Sequence, residues 1–394
     1  MIQIIKQIIK IIYGYFCYLK FILIESNKIK KANIIFILPF YHTGGAEKVH
    51  LDILNAVKHK KCCVIFTHLS ATKNYYEAFK SQSQIIELNS IRNKKSAFLN
   101  KILKRSILKN INTSQSIHAV FGCNTPFFYE ILPGIKTNIK RVDLIHALSK
   151  NDEREAVLAS SIPFVDHRIC INAKAKNDLT AIYKKYHAEM GLVDKLKIIE
   201  NGVVINEASK LTKQPSQNIK FGFIGRWSEE KRPELFLEVA KKIQANHANV
   251  EFVMAGTGMK SNLKQINEAG VHFLGEITSQ VELNKLYESL TGVIISSVYE
   301  GFPMVIMESM VFNTIPIATN VGGISQHIKH LDNGLLISSN SYSELVNDFV
   351  KEITFLIENK AEIQRMSDTA KTYAIANFNI DNFNNSYRNL LELS

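Results

Sequence analysis

The chain has 394 residues, 46% of them apolar and 21% charged, with few glycines and prolines and no low-complexity tract. That composition excludes extended disorder, and the length is too great for one ordinary core, so two domains of roughly 150–200 residues are expected. A net charge of +12 asks for an acidic partner: nucleic acid, anionic lipid or a phosphorylated small molecule.

Zinc-finger, RNA-recognition and helix-turn-helix signatures are missing from the sequence, so nucleic acid is not an expected partner. The five cysteines (Cys17, Cys62, Cys63, Cys123 and Cys170) include no CxxC and are odd in number. They imply a reduced, cytosolic setting and buried, inert thiols.

The chain opens on "MIQIIKQIIKIIYGYFCYLKFILIE", Ile-rich and aromatic but interrupted by Lys6, Lys10 and Lys20. It lacks a clear signal-peptide pattern, and a spanning helix would bury Lys10 in hydrocarbon. An amphipathic helix over 1–32, with its connector, is expected to lie in the interface of an anionic membrane. Packing on the protein's own surface is the alternative. "NIIFILPF" is then the first strand, apolar throughout as a parallel strand covered on both faces should be. "YHTGG" leads into the helical "AEKVHLDILNAVKHK". "CCVIFTHL", "SIHAVFGC", "KRVDLIHAL" and "FVDHRICIN" read as further strands, with helices near "SAFLNKILKRSILKNI" and "AKAKNDLTAIYKKYH".

The polar segment 206–218 reads as a linker. Alternation restarts after it with "IKFGFIGRW", "VEFVMAGTG", "VHFLG", "TGVIISS", "TIPIATN" and "NGLLISS" as strands and helices between them. A long helical tail runs from about 341 to 393. The sequence therefore predicts an α/β chain of two doubly wound, Rossmann-like domains, 33–205 and 219–375, facing a central cleft. A C-terminal helix over 376–394 is expected to pack back toward the first domain. Ligands bind such folds at the carboxyl ends of the strands.

Two stretches at those ends carry charge. In "GRWSEEKRPE" Arg226 ends a strand, Lys231 follows five residues later, and Pro233 suits the first position of a helix. Two cations beside a helix start fit a diphosphate; a solvated charge cluster is the competing reading. In "SSVYEGFPMVIMESMVFN", Gly301 permits a sharp turn and Pro303 suits a helix start. The amides of Gly301, Phe302 and Met304 then lie where ligand oxygens would meet them. Glu300 is placed for sugar hydroxyls and Glu308 for ribose hydroxyls. A dipole-favouring carboxylate and a buried ion pair are the respective alternatives.

"EGFPMVIME" resembles the E-x7-E motif of the retaining GT-B glycosyltransferases of family four. "FGFIGRWSEEKRPE", "HTGGAEKV" (with Lys48 where Arg is more usual), "IIENGV" and "PIATNVGGISQHI" resemble four further motifs of that family, in the same order. The resemblance implies a nucleotide-sugar donor, UDP- or GDP-linked, and retention of anomeric configuration. Arg226 and Lys231 would neutralise the diphosphate, Glu308 would hold ribose, and Glu300 with the loop of Gly301, Phe302, Pro303 and Met304 would hold the sugar. Gly44 and Gly45 would let backbone approach the phosphate or acceptor, and Asn201 belongs to the Asn-Gly-Val segment. His146 is the candidate for the histidine beside the transferred sugar; a core or surface histidine is the other reading. The sequence has no Asp-x-Asp, so neither metal nor cofactor is expected. The acceptor would be a glycan or a lipid-linked glycan of surface polysaccharide or lipopolysaccharide synthesis, with the enzyme peripheral on the inner face of the cell membrane. A non-catalytic partner subunit and a nucleotide-sugar epimerase are the alternatives.

Overall fold

The computed structural model describes the chain except residues 1–11, 13, 14, 17, 92–96, 150, 188, 206–217 and 393–394. Its chain divides into two compact units, 1–199 with 383–394 and 200–382. The sequence reading put the crossings at 205 and 375. The strip that holds 200–382 together is a pairing of distant chain: Val203 donates to the Phe378 carbonyl, and Ile380 donates back to Val203. The linker read over 206–218 lies almost wholly outside the described residues.

The first unit is built on parallel strands β1 (Ile34–Leu38), β2 (Cys62–Phe66), β3 (Gln84–Glu87), β4 (Ala119–Cys123), β5 (Lys140–Ile145), β6 (His167–Cys170) and β7 (Leu196–Ile198), in the order β3-β2-β1-β4-β5-β6-β7. β1, β2 and β4 are buried at every residue, which is why each reads as an unbroken apolar run. β3 and β7, at the two edges, are short and half exposed, and the sequence reading passed over both. Beneath the sheet Arg168 on β6 is fully buried against Asp143 on β5, with 2.7 Å between Nε and Oδ2. Ser161 Oγ, the Leu158 carbonyl and Tyr183 OH accept its other protons. The helix Ile380–Glu392 belongs to this unit at its C-terminal end, where Arg388 Nε donates to the Ala56 carbonyl at 2.8 Å.

The second unit is built on β8 (Lys220–Ile224), β9 (Glu251–Ala255), β10 (Val271–Phe273), β11 (Gly292–Ile295), β12 (Ile315–Thr319) and β13 (Leu335–Ile337), ordered β10-β9-β8-β11-β12-β13. In each sheet the first strand of the unit lies mid-sheet, and the chain winds outward from it in both directions. The crevice where the direction reverses falls between β1 and β4 in one unit and between β8 and β11 in the other. Ligand sites of open α/β sheets form there. The expected long tail is three helices, Tyr342–Glu358, Lys360–Asn377 and Ile380–Glu392; a capping box of Ser341 and Glu344 starts the first.

At the N-terminus, described residues between 12 and 30 are helical, with a π turn over Phe21–Glu25. Phe21 and Ile29 are buried, whereas Ile12, Tyr15, Phe16, Leu19, Ile22, Leu23 and Ile24 are exposed. The first part of the expected amphipathic helix, with Lys6 and Lys10, lies outside the described residues. Among the described residues no helix is long and apolar enough to cross a membrane.

Candidate functional site

The second unit's switch point brings two of the sequence-derived residues into direct contact. Lys231 follows β8 and Glu300 follows β11, and Lys231 Nζ donates to Glu300 Oε1 at 2.6 Å. Ser297 Oγ donates to the same oxygen at 2.7 Å, and Glu230 Oε1 lies 3.2 Å from the ammonium. Burial alone would lower the pKa of Lys231; the Glu300 and Glu230 carboxylates outweigh that and raise it. The ammonium is therefore a fixed positive charge over the whole neutral range.

Arg232, in the sequence only a member of the alternative solvated charge cluster with Glu229, Glu230 and Lys231, anchors the loop. Its backbone is left-handed (φ +48°), and its guanidinium donates to the Ser296 and Ser297 carbonyls at 2.6 and 2.8 Å. Ser296 Oγ donates back to the Lys231 carbonyl. Pro233 opens the helix Pro233–Asn246 at its first position, as its fixed φ allows. Arg226 behaves differently. It lies two residues past β8 and is exposed.

The loop after Glu300 is locked from the other side. Gly322 has φ +60°, and a Cβ there would sit 1.6 Å from the Glu300 carbonyl oxygen, so only glycine fits beneath it. Gly323 N–H donates to the Gly301 carbonyl at 2.7 Å. Phe302 is buried, its ring 4.4 Å from His327 and 5.3 Å from Phe378. His327 faces Tyr373 OH (3.1 Å from Nδ1) and Glu200 (3.7 Å from Nε2), and burial pushes its pKa down to about 4. Pro303 stands at the N-cap, one position before the helix Met304–Val311, so the free amides at the helix start begin with Met304.

Glu308, the carboxylate in that apolar helix, is half-buried and has a partner: Tyr287 OH donates to its Oε2 at 2.8 Å. Burial and this carboxylate hold the phenol well above its usual range. The donor is a neutral phenol, and nothing in the sequence pointed to Tyr287. Asn201 is buried and its Oδ1 meets no donor among the described residues.

In the first unit, Gly44 caps the helix Gly45–Ala56 in an extended conformation. A side chain there would run into Glu47 Oε2, which lies across the loop facing His42. His146, just past β5, does not stand alone: its Nε2 is 3.1 Å from Nε2 of His50, on the helix that follows β1. Burial, then Arg154, pushes His146 down to about 4, and burial with His146 holds His50 well below its ordinary value, so both imidazoles are neutral. Cys123, at the end of β4, completes a cluster whose ligand atoms all lie within 4.8 Å of one another. Its thiol is pushed up by burial and by Asp143. Neither His50 nor Cys123 was legible as a site residue, because the three positions share no sequence spacing and only the sheet order unites them.

Residues 204–373 match the family described as glycosyl transferases group 1. An uncharacterized glycosyltransferase of Methanocaldococcus jannaschii is 32% identical over 36% of this chain and 41% of its own length. The Campylobacter jejuni α-1,4-N-acetyl-D-galactosaminyltransferase that acts on a GalNAc-GalNAc-diNAcBac-PP-undecaprenol is 24% identical over 77% of this chain and 84% of its own. Among solved structures, Anabaena HepE in complex with UDP superposes with a TM-score of 0.71 at 17% identity, covering 91% of this chain and 99% of that one.

Proposed function

We propose that this chain of GT-B fold, whose residues 204–373 match the glycosyl transferases group 1 family, transfers a sugar from a nucleotide-sugar to a glycan or lipid-linked acceptor. The observation that carries the reading is the Lys231–Glu300 pair across the β8/β11 crevice, where a nucleotide diphosphate binds in such folds. Lys231 keeps its charge through its carboxylate neighbours and still has a proton to donate to a phosphate oxygen. Arg226, exposed at the strand end, adds the second cation and a two-pronged donor. Together they offset the charge that develops on the departing nucleoside diphosphate, so the transfer proceeds without a metal ion. Glu300, with the amides around Gly301 and Met304, holds the donor sugar. Glu308, steadied by Tyr287, holds a ribose hydroxyl.

Retention of configuration fits this arrangement. Glu300 Oε1 is occupied by Lys231 and Ser297, which lowers its nucleophilicity and suits a binding group better than an attacking one. The acceptor class follows the lipid-linked glycan named for the Campylobacter relative, which favours surface polysaccharide or lipopolysaccharide synthesis at the inner face of the membrane. The exposed apolar side chains between Ile12 and Ile24 would supply the contact, together with the excess of basic residues. Deleting residues 1–30 should release the protein from anionic vesicles; persistent binding would remove that segment from the contact.

The test of the main reading is a thermal-shift screen against UDP-, GDP- and ADP-sugars. A donor present at about 100 times its Kd adds about 2.7 kcal/mol, which is roughly 5–10 °C for a domain of this size. No shift with any of them would overturn the assignment.

A further inference from the structure

We propose that His50, Cys123 and His146 form a site for one divalent transition-metal ion of the zinc class, at the switch point of the first sheet. This is independent of the glycosyl-transfer reading. The three residues come from three elements at one edge of the sheet: the helix after β1, the end of β4, and the chain just past the neighbouring β5. Their ligand atoms lie within 4.8 Å of one another, and the two Nε2 atoms are 3.1 Å apart. Two nitrogens bound tetrahedrally to one zinc at 2.0–2.1 Å sit about 3.3 Å apart, so the pair already has the spacing of two zinc ligands.

The donor set chooses the metal. One thiolate and two imidazoles suit zinc, cobalt or copper, and are poor ligands for magnesium, calcium or manganese. The ion enters as M²⁺ and Cys123 gives up its thiol proton, so the product is a sulfur–metal bond and one proton released to solvent. The hydrogen between His50 and His146 is displaced to an outer nitrogen. Three protein ligands leave the fourth position open, the pattern of an exchangeable site rather than a closed structural one. His50 and Cys123 are buried while His146 is partly exposed, so the open position lies on the His146 side. His50 Nδ1 is buried and meets no acceptor among the described residues. A missing outer hydrogen bond of that kind costs a site about 10–100-fold in affinity, so binding should be readily reversible.

The experiment titrates the full, reduced chain with Co²⁺ and follows thiolate-to-cobalt charge transfer in the near ultraviolet and the visible bands of a tetrahedral ion. One equivalent should produce both, and Zn²⁺ should abolish both. Cys123→Ser should lose the charge-transfer band, and His50→Gln should weaken Co²⁺ binding at least tenfold. His50→Gln reads the site even if Cys123→Ser fails to fold. A wild-type chain with no charge-transfer band would overturn the proposal, leaving His50 and His146 as a hydrogen-bonded pair. A band that survives in Cys123→Ser, or an undiminished Co²⁺ affinity in His50→Gln, would also overturn it, since the ion would then sit elsewhere.

Discussion

The two sheets wind outward from the same kind of crevice and fill it with opposite chemistry. Between β8 and β11 a full ammonium and a full carboxylate meet at 2.6 Å, while between β1 and β4 two neutral imidazoles meet at 3.1 Å beside a thiol. The difference follows from what each crevice excludes. Lys231 and Glu300 keep partial access to solvent, and each is stabilised by the other. His50 and Cys123 are buried deeply enough that charge is driven off them altogether. One crevice is therefore prepared to receive charge and the other to receive a neutral group or a soft cation. The same fold can hold both because topology fixes where a site forms, while the loop residues fix what it binds.

The sharpest way to break this comparison is to remove the charges on one side. Lys231→Ala, Glu300→Ala and Arg226→Ala should each lower the rate of transfer by about two orders of magnitude or more, the scale of losing a charge-stabilising group. Lys231 and Glu300 touch, so the double variant should lose less than the product of the two single losses. Near-wild-type turnover in any single variant would take that residue out of the mechanism. Arg226 is the most open to this outcome, because it is the exposed member of the three.

A second break is structural and falls on β5 and β6 of the first sheet. Arg168→Leu would leave Asp143 buried without its cation, at a cost of about 3–5 kcal/mol and a fall in Tm of roughly 6–20 °C. The double variant Arg168→Met with Asp143→Leu should recover much of that loss. Equal destabilisation of single and double variants would mean that packing, not the buried charge, sets the cost.

Acid gives a third, on the second unit. His327 has a folded pKa of about 4, below its value of about 6.5 in the unfolded chain. As pH falls, the unfolded state takes the proton first, so stability is complete above 6.5, declines between 6.5 and 4, and levels off below 4. The decline attributable to this one ring is at most about 3 kcal/mol. Tyr373 and Glu200 face the ring, and Phe302 and Phe378 pack on it, so the loss should loosen the loop that carries Glu300. Urea midpoints at pH 7, 5.5 and 4 should fall less steeply in His327→Phe than in the wild type. Parallel slopes would place the acid sensitivity elsewhere.

What the sequence disclosed and withheld divides along these same lines. Strands buried on both faces announce themselves as apolar runs, and β1, β2, β4, β8 and β9 were all legible. Edge strands β3 and β7 are too short and too exposed to leave a pattern. Lys231 and Glu300 were legible because charge at a strand's carboxyl end is unusual. Their hydrogen bond was not, since 69 residues separate them. Arg232, Ser297 and Tyr287 are ordinary residues made important by their neighbours. His50 and Cys123 required the sheet order itself, which no local spacing encodes.

The smallest expected effect is the most specific, and it concerns Glu308. If Glu308 holds ribose while Tyr287 steadies it, the two residues should separate in binding. Tyr287→Phe removes one hydrogen bond to a charged group, worth about 1.5–3 kcal/mol in full and less here because Glu308 is only half-buried and water can replace the phenol. Nucleotide affinity should then fall by less than about tenfold, since the carboxylate remains and loses only its orientation. Glu308→Ala removes the ligand group itself and should cost more, and the excess should vanish when a 2′,3′-dideoxynucleotide is the ligand. Calorimetry on the two variants with UDP and its dideoxy analogue makes the distinction. Equal losses with both ligands would mean that Glu308 serves the helix and Tyr287 rather than the nucleotide, and the second crevice would then rest on Lys231, Glu300 and Arg226 alone.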